Sequence, residues 1–131
     1  MNGNRDAGAA LLERIGWHVR NALLGEVYAT PKPGLVDRRD TGAHRDMDYE
    51  TFLRSTEAIT PYLVEMFAAG WKGHAEGEQP DAVFQTIRRI GQEAETAMYQ
   101  ATAGVNTHKG MIFTMGIVLA ATGMLYAQPE R

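Results

Sequence analysis

Cysteine is absent from the 131 residues, which excludes disulfides, zinc–thiolate sites and a thiol nucleophile. A basic excess is also lacking. Thirteen Lys and Arg stand against 16 Asp and Glu, and the net charge of −3 gives no reason to expect nucleic acid as a partner. No segment alternates apolar and polar residues over a useful length, so no sheet is expected. The amino terminus, MNGNRDAGAALLERIG, has neither the basic region nor the apolar run of a signal peptide, and a cytoplasmic protein is the expectation. The Gly-x4-Gly-Lys-Ser/Thr phosphate loop does not occur. Nor does the adjacent His-Asp pair of a familiar class of metal phosphohydrolases, because Arg45 separates His44 from Asp46. There is no internal repeat and no low-complexity tract.

What is present reads as one all-α domain over residues 1–131. Apolar residues make up 44% and charged residues 22%, ordinary for a soluble globular chain. Leu11, Leu12, Ile15, Val19, Ala22, Leu23 and Val27 recur at steps of three and four, one stripe of a helix over 6–28. Pro31 and Pro33 stop it. A second helix is expected from Asp48, with that carboxylate as N-cap and Met47 and Phe52 as a hydrophobic staple. Phe52, Ile59, Leu63, Met66 and Phe67 form its buried face, and Pro61 predicts a kink. A third helix is expected from Asp81, with Pro80 near its first turn. A fourth, uncharged one runs from Lys109 to Ala127. Its 17-residue apolar run, MIFTMGIVLAATGMLYA, sits at the lower edge of membrane-spanning length. Its glycines and threonines favour a helix buried in a helical core, and no membrane is expected. Gly116, Ala120 and Gly123 make a small-residue face that another helix can approach.

The 19-residue connection from Ala29 to Met47 exceeds the usual helix–helix loop of about 2–8 residues, and loops that long tend to be functional. It combines cations with carboxylates. Lys32, Arg38, Arg39 and Arg45 can meet phosphate. Asp37, Asp40, Asp46 and Asp48 are hard oxygen donors of the kind magnesium takes together with substrate phosphates. A magnesium-triphosphate site requires that mixture, and a solvated loop with surface ion pairs would also show it. His44 is a hydrogen-bonding or proton-transfer candidate.

A second candidate is GVNTHKG, residues 104–110. Gly104 can end the third helix in the left-handed conformation, and Asn106 or Thr107 can cap the fourth. A helix start offers free N–H groups to an anion. Lys109 opposes that dipole, which a phosphate between them would explain; a plain turn with His108 and Lys109 exposed is the alternative.

Taken together, TPKPGLVDRRDTGAHRDMDYETFLRS, AITPYL and GVNTHKGMIF resemble the triphosphoribosyl-dephospho-coenzyme A synthase family, over about Glu26 to Gly123. The resemblance implies a transferase that joins ATP to 3′-dephospho-CoA and releases adenine. The product is the prosthetic-group precursor of the acyl carrier protein of citrate lyase or malonate decarboxylase. It implies ATP-binding roles for Lys32, Arg38, Arg45, Asn106, Thr107 and Lys109. Magnesium is expected on Asp37, Asp46 and Asp48. Asp46 and Asp48 are also candidates to face an oxocarbenium ion, with His44 and His108 for proton transfer. Family members are about twice as long, so the chain reads as the N-terminal half of a larger domain. A homodimer or a complex with a second half is expected, packed through the face of Gly116, Ala120 and Gly123. Two other readings keep the same residues: a non-catalytic nucleotide-binding half that needs a partner, and a magnesium-dependent nucleotide phosphohydrolase.

Overall fold

The computed structural model describes the backbone of residues 2–29 and 43–127 and the side chains of 7–25 and 49–127. Four helices follow in order: α1 (Asn2–Ala29), α2 (Ala43–Ala75), α3 (Pro80–Ala101) and α4 (Lys109–Ala127). No strand occurs among the described residues, and the all-α expectation holds.

The central element is α2, which packs against each of the other three helices; among the described residues α1 touches only α2. The buried α2 residues Ser55, Thr56, Ile59, Leu63, Met66 and Phe67 form one broad face. Val19 and Leu23 of α1, Val83, Ile87, Ile90, Ala94 and Met98 of α3, and Ile112 and Ala120 of α4 complete the core. Of the predicted α1 stripe, Val19 and Leu23 are buried and Leu11, Leu12 and Ile15 half-buried, whereas Ala22 is exposed and the side chain of Val27 lies outside the described residues. Pro61 lies exposed within α2, which continues through it.

The start of α2 differs from expectation. The helix begins at Ala43, so the backbone of Asp48 is inside it and does not form the N-cap, and the staple of Met47 with Phe52 falls with the cap. After Gly42 the run Ala43–Asp48 holds no glycine, proline or β-branched residue, so nothing local delays the helix. The expected connection is correspondingly shorter at its far end; residues 30–42 lie outside the described residues.

The other departure concerns α4, which buries one face and not its whole circumference. Ile112, Gly116, Ala120 and Gly123 are buried, whereas Ile117, Val118, Leu125 and Tyr126 are exposed. The small residues are spent inside the molecule. A Cβ on Gly70 would overlap the carbonyl oxygen of Ala120, and one on Gly123 would overlap that of Phe67. The face of Gly116, Ala120 and Gly123 is thus the α2–α4 contact and is not free for a partner. Among the described residues α4 alone is long and apolar enough to cross a membrane, which is weak evidence because core helices pass the same test.

Candidate functional site

The turn between α3 and α4 closes against the N-terminal half of α2. At the end of α3 the Thr102 N–H donates to the Met98 carbonyl at 3.0 Å, and the Gly104 N–H reaches back to Tyr99 at 2.8 Å. Gly104 has φ +91° and Ala103 φ +55°. The left-handed residue expected at Gly104 is present, with an alanine sharing that conformation at a cost of roughly 1–2 kcal/mol. The Thr102 hydroxyl then accepts from the Val105 N–H at 3.0 Å, which tightens the turn.

This turn delivers Thr107 and His108 to Ser55. The Thr107 hydroxyl donates to Ser55 Oγ at 2.5 Å, and Ser55 Oγ lies 2.6 Å from His108 Nδ1. Phe52, one turn before Ser55, sets its ring edge-on to the imidazole at 5.5 Å. The His108 backbone N–H points at Met98 Sδ, 3.2 Å away. Only 7% of His108 is exposed. Burial lowers its pKa to about 4. The imidazole is therefore neutral at pH 7, and exposure of His108 in a plain turn is not what is found.

A stability consequence follows from that pKa. His108 takes a proton near pH 6.5 when unfolded but only near 4 when folded, so acid favours the unfolded chain. The stabilisation is complete above 6.5 and is lost as pH falls toward 4. Between pH 7 and 5 this one group should cost about 2 kcal/mol. Urea unfolding at the two pH values should show that loss, and His108→Gln should reduce the difference by the same amount.

The other residues of the turn are divided. Asn106 Oδ1 accepts from the Lys109 N–H at 3.2 Å, so Asn106 is the side chain that caps α4. Lys109 Nζ is 3.6 Å from Glu95 of α3, and both are at least partly exposed. The carboxylate already offsets the clash of Lys109 with the helix dipole, and such an exposed pair contributes no more than about 1 kcal/mol. Arg54 of α2 donates to the Ala101 carbonyl at 3.2 Å, tying α2 to the end of α3.

Of the candidates read from the sequence, Asn106, Thr107, His108 and Lys109 are therefore brought to one end of the bundle. Lys32, Asp37 and Arg38 lie outside the described residues. His44, Arg45, Asp46 and Asp48 fall on the backbone of α2, with side chains outside the described set. Positions 44, 48, 51 and 55 share one stripe at 3.6 residues per turn, so the α2 segment leads directly to Ser55. Among the described residues no group of three or more His, Cys, Asp or Glu could hold a metal ion. The expected magnesium donors, Asp37, Asp46 and Asp48, have side chains outside the described residues; carboxylates suit that ion by donor type.

Ser55, Arg54 and Glu95 are missing from the sequence reading. A signal existed for Ser55. The buried stripe of α2 passes from Phe52 to Ile59 with no apolar residue at the intervening turn, and Ser55 and Thr56 fill that turn, both at 0% exposure. Polar residues on a buried stripe must be satisfied or serve a purpose. Thr56 Oγ1 is buried with no hydrogen-bond partner among the described residues.

Comparison with known proteins gives a consistent result. The family described as ATP:dephospho-CoA triphosphoribosyl transferase matches residues 12–131. The chain is 50% identical over 113 residues to a probable 2-(5''-triphosphoribosyl)-3'-dephosphocoenzyme-A synthase of Vibrio cholerae serotype O1, covering 86% of this chain and 36% of the relative. Relatives of the same name from Photobacterium profundum and Streptococcus mutans serotype c are 47% identical over 116 residues and 46% over 117. Those matches cover 88% and 89% of this chain, and 35% and 39% of the relatives. The chain thus spans little more than a third of the length of these curated relatives. No solved structure matches.

Proposed function

The chain belongs to the ATP:dephospho-CoA triphosphoribosyl transferase family, and on that premise we propose that it carries part of the site for that transfer. The reaction joins ATP and 3′-dephospho-CoA into 2′-(5″-triphosphoribosyl)-3′-dephospho-CoA and releases adenine, in the cytoplasm, to supply a carrier-protein prosthetic group. The observation that carries this reading is the hydrogen bond between Ser55 and His108, which ties the α2 segment to the α3–α4 turn. Two stretches far apart in sequence, each suited to phosphate, are thereby linked at one end of the bundle.

The chemistry sets the roles. Displacement of adenine from ribose C1 passes through an oxocarbenium-like state, which carboxylates near the ring stabilise. Asp46 and Asp48 are assigned that task. The departing adenine needs a proton or a strong hydrogen bond, and the attacking 2′-hydroxyl must lose its proton. His44 is the candidate for proton transfer and His108 for a hydrogen bond. Lys32, Arg38, Arg45 and Lys109 hold the triphosphate, with Asn106 and Thr107 shaping the turn beside it. Magnesium held by Asp37, Asp46 and Asp48 would neutralise phosphate charge when bound.

A second reading is favoured by one observation, the third of the relatives' length that is covered: a nucleotide-binding part that turns over only with the remainder supplied. Mg-ATP binding by calorimetry and adenine release by chromatography test both. Lys109→Ala and Asp46→Asn should each weaken Mg-ATP binding about tenfold or more, the range for a lost charged hydrogen bond. Unchanged binding in both variants would remove the site assignment. Adenine release that depends on dephospho-CoA supports transfer, and binding without turnover supports the second reading. Release of phosphate or pyrophosphate would overturn both in favour of hydrolysis.

A further inference from the structure

We propose that Thr107 and Ser55 form a hydroxyl relay that fixes His108 as the Nε2–H tautomer, making Ser55 and Thr107 positioning residues for a neutral imidazole donor at the head of α4. Proton accounting leads there. A hydroxyl carries one proton and can accept twice, and a neutral imidazole carries one N–H and one acceptor nitrogen. The Thr107 hydroxyl donates to Ser55 Oγ. Ser55 must then place its own proton elsewhere. Helical serines and threonines often return theirs to the carbonyl four residues earlier. Thr60, Thr86, Thr96 and Thr122 do so here, but Ser55 does not. The acceptor left for Ser55 is His108 Nδ1, at 2.6 Å. A nitrogen that accepts carries no proton, so the ring proton belongs on Nε2.

The reverse relay would run from Nδ1–H through Ser55 to Thr107. It would leave the Thr107 proton with no described acceptor and a bare acceptor at Nε2. The forward relay uses every hydroxyl proton inside the cluster. Burial keeps the imidazole neutral through the physiological range, so one ring nitrogen is free to accept. Nε2 makes no hydrogen bond among the described residues, and His108 immediately precedes the first turn of α4. An N–H donor at that position suits an anionic oxygen such as phosphate, or a purine ring nitrogen. The identity of that ligand rests on the proposed transfer function; the tautomer does not.

Long-range proton–nitrogen correlation on the 15N-histidine-labelled chain reads the tautomer directly, with His108→Gln assigning the signal among the four histidines. At neutral pH Nε2 should be protonated and Nδ1 bare. Ser55→Ala should lose this single-tautomer pattern, and Ser55→Thr should restore it. Thr107→Val, which frees the acceptor side of Ser55 without touching the α2 helix, should also lose it, and serves if Ser55→Ala does not fold. An Nδ1–H pattern in the unsubstituted protein, or an unchanged pattern in Thr107→Val, overturns the relay. Mg-ATP should then shift the Nε2–H resonance. The expected tautomer with no shift from Mg-ATP or dephospho-CoA would overturn the ligand contact and count against the transfer reading, while leaving the relay standing.

Discussion

Gly70→Ala is expected to lower the unfolding free energy by about 3 kcal/mol or more, and Gly70→Ala with Gly123→Ala to leave no cooperative unfolding transition. The cause is backbone meeting backbone. At both positions the added Cβ would overlap a carbonyl oxygen of the facing helix, Ala120 for Gly70 and Phe67 for Gly123. A side chain in the way can change rotamer, but a carbonyl moves only if the helix moves. Because α2 and α4 share the core through Met66, Phe67, Ile112 and Ala120, separating them loosens all of it. A domain of this size has about 5–15 kcal/mol of stability in total, so two such insertions consume most of it. Gly116→Ala tests the argument from the other side, since its Cβ would meet the flexible Met66 side chain, and the loss should be smaller. Gly110→Ala meets no described atom within 4 Å and should cost nothing. Urea midpoints for the four variants decide it. A Gly70→Ala midpoint equal to that of Gly110→Ala would show that the helices are not in the contact described.

These glycines also show what the sequence could and could not disclose. Spacing alone marks Gly116, Ala120 and Gly123 as a face that a helix approaches closely. It does not say whether that helix is in the same chain, and the partner is α2. The ends of α3 and α4 were legible because local chemistry sets them: proline at the start of α3, and the left-handed turn followed by the Asn106 cap at α4. The start of α2 was not, because an aspartate that could cap a helix was preceded by residues that are equally content inside one. The site divides in the same way. Thr107 and His108 belong to a motif that reads as chemistry in one dimension. Ser55 acquires its meaning only from a contact 53 residues distant, and Glu95 only from the packing of α3 beside α4. The depressed pKa of His108 is likewise a property of burial, which no local pattern announces.

Four large side chains on the outer face of α4 carry the remaining expectation: the isolated chain should self-associate and bind an apolar dye. Ile117 is 49% exposed, Val118 58%, Leu125 65% and Tyr126 60%, and they spread across the outer half of the helix. Phe84 of α3, also half exposed, extends this surface across a recess of about 160 Å³ lined with Ile87, Arg88, Phe113 and Ile117. Burying such a side chain fully is worth roughly 1.5–3 kcal/mol, so leaving them in water forfeits several kcal/mol that association would recover. Large exposed apolar surfaces of this kind tend to be interfaces. Light scattering at tens of micromolar should therefore report species larger than a monomer, and Ile117→Lys with Leu125→Lys should return a monomer that no longer binds dye. Those substitutions point away from the α2 contact, so the thermal midpoint should hold. A monodisperse monomer of the unsubstituted chain, with no dye-binding surface, would show that α4 needs no cover beyond α2 and α3.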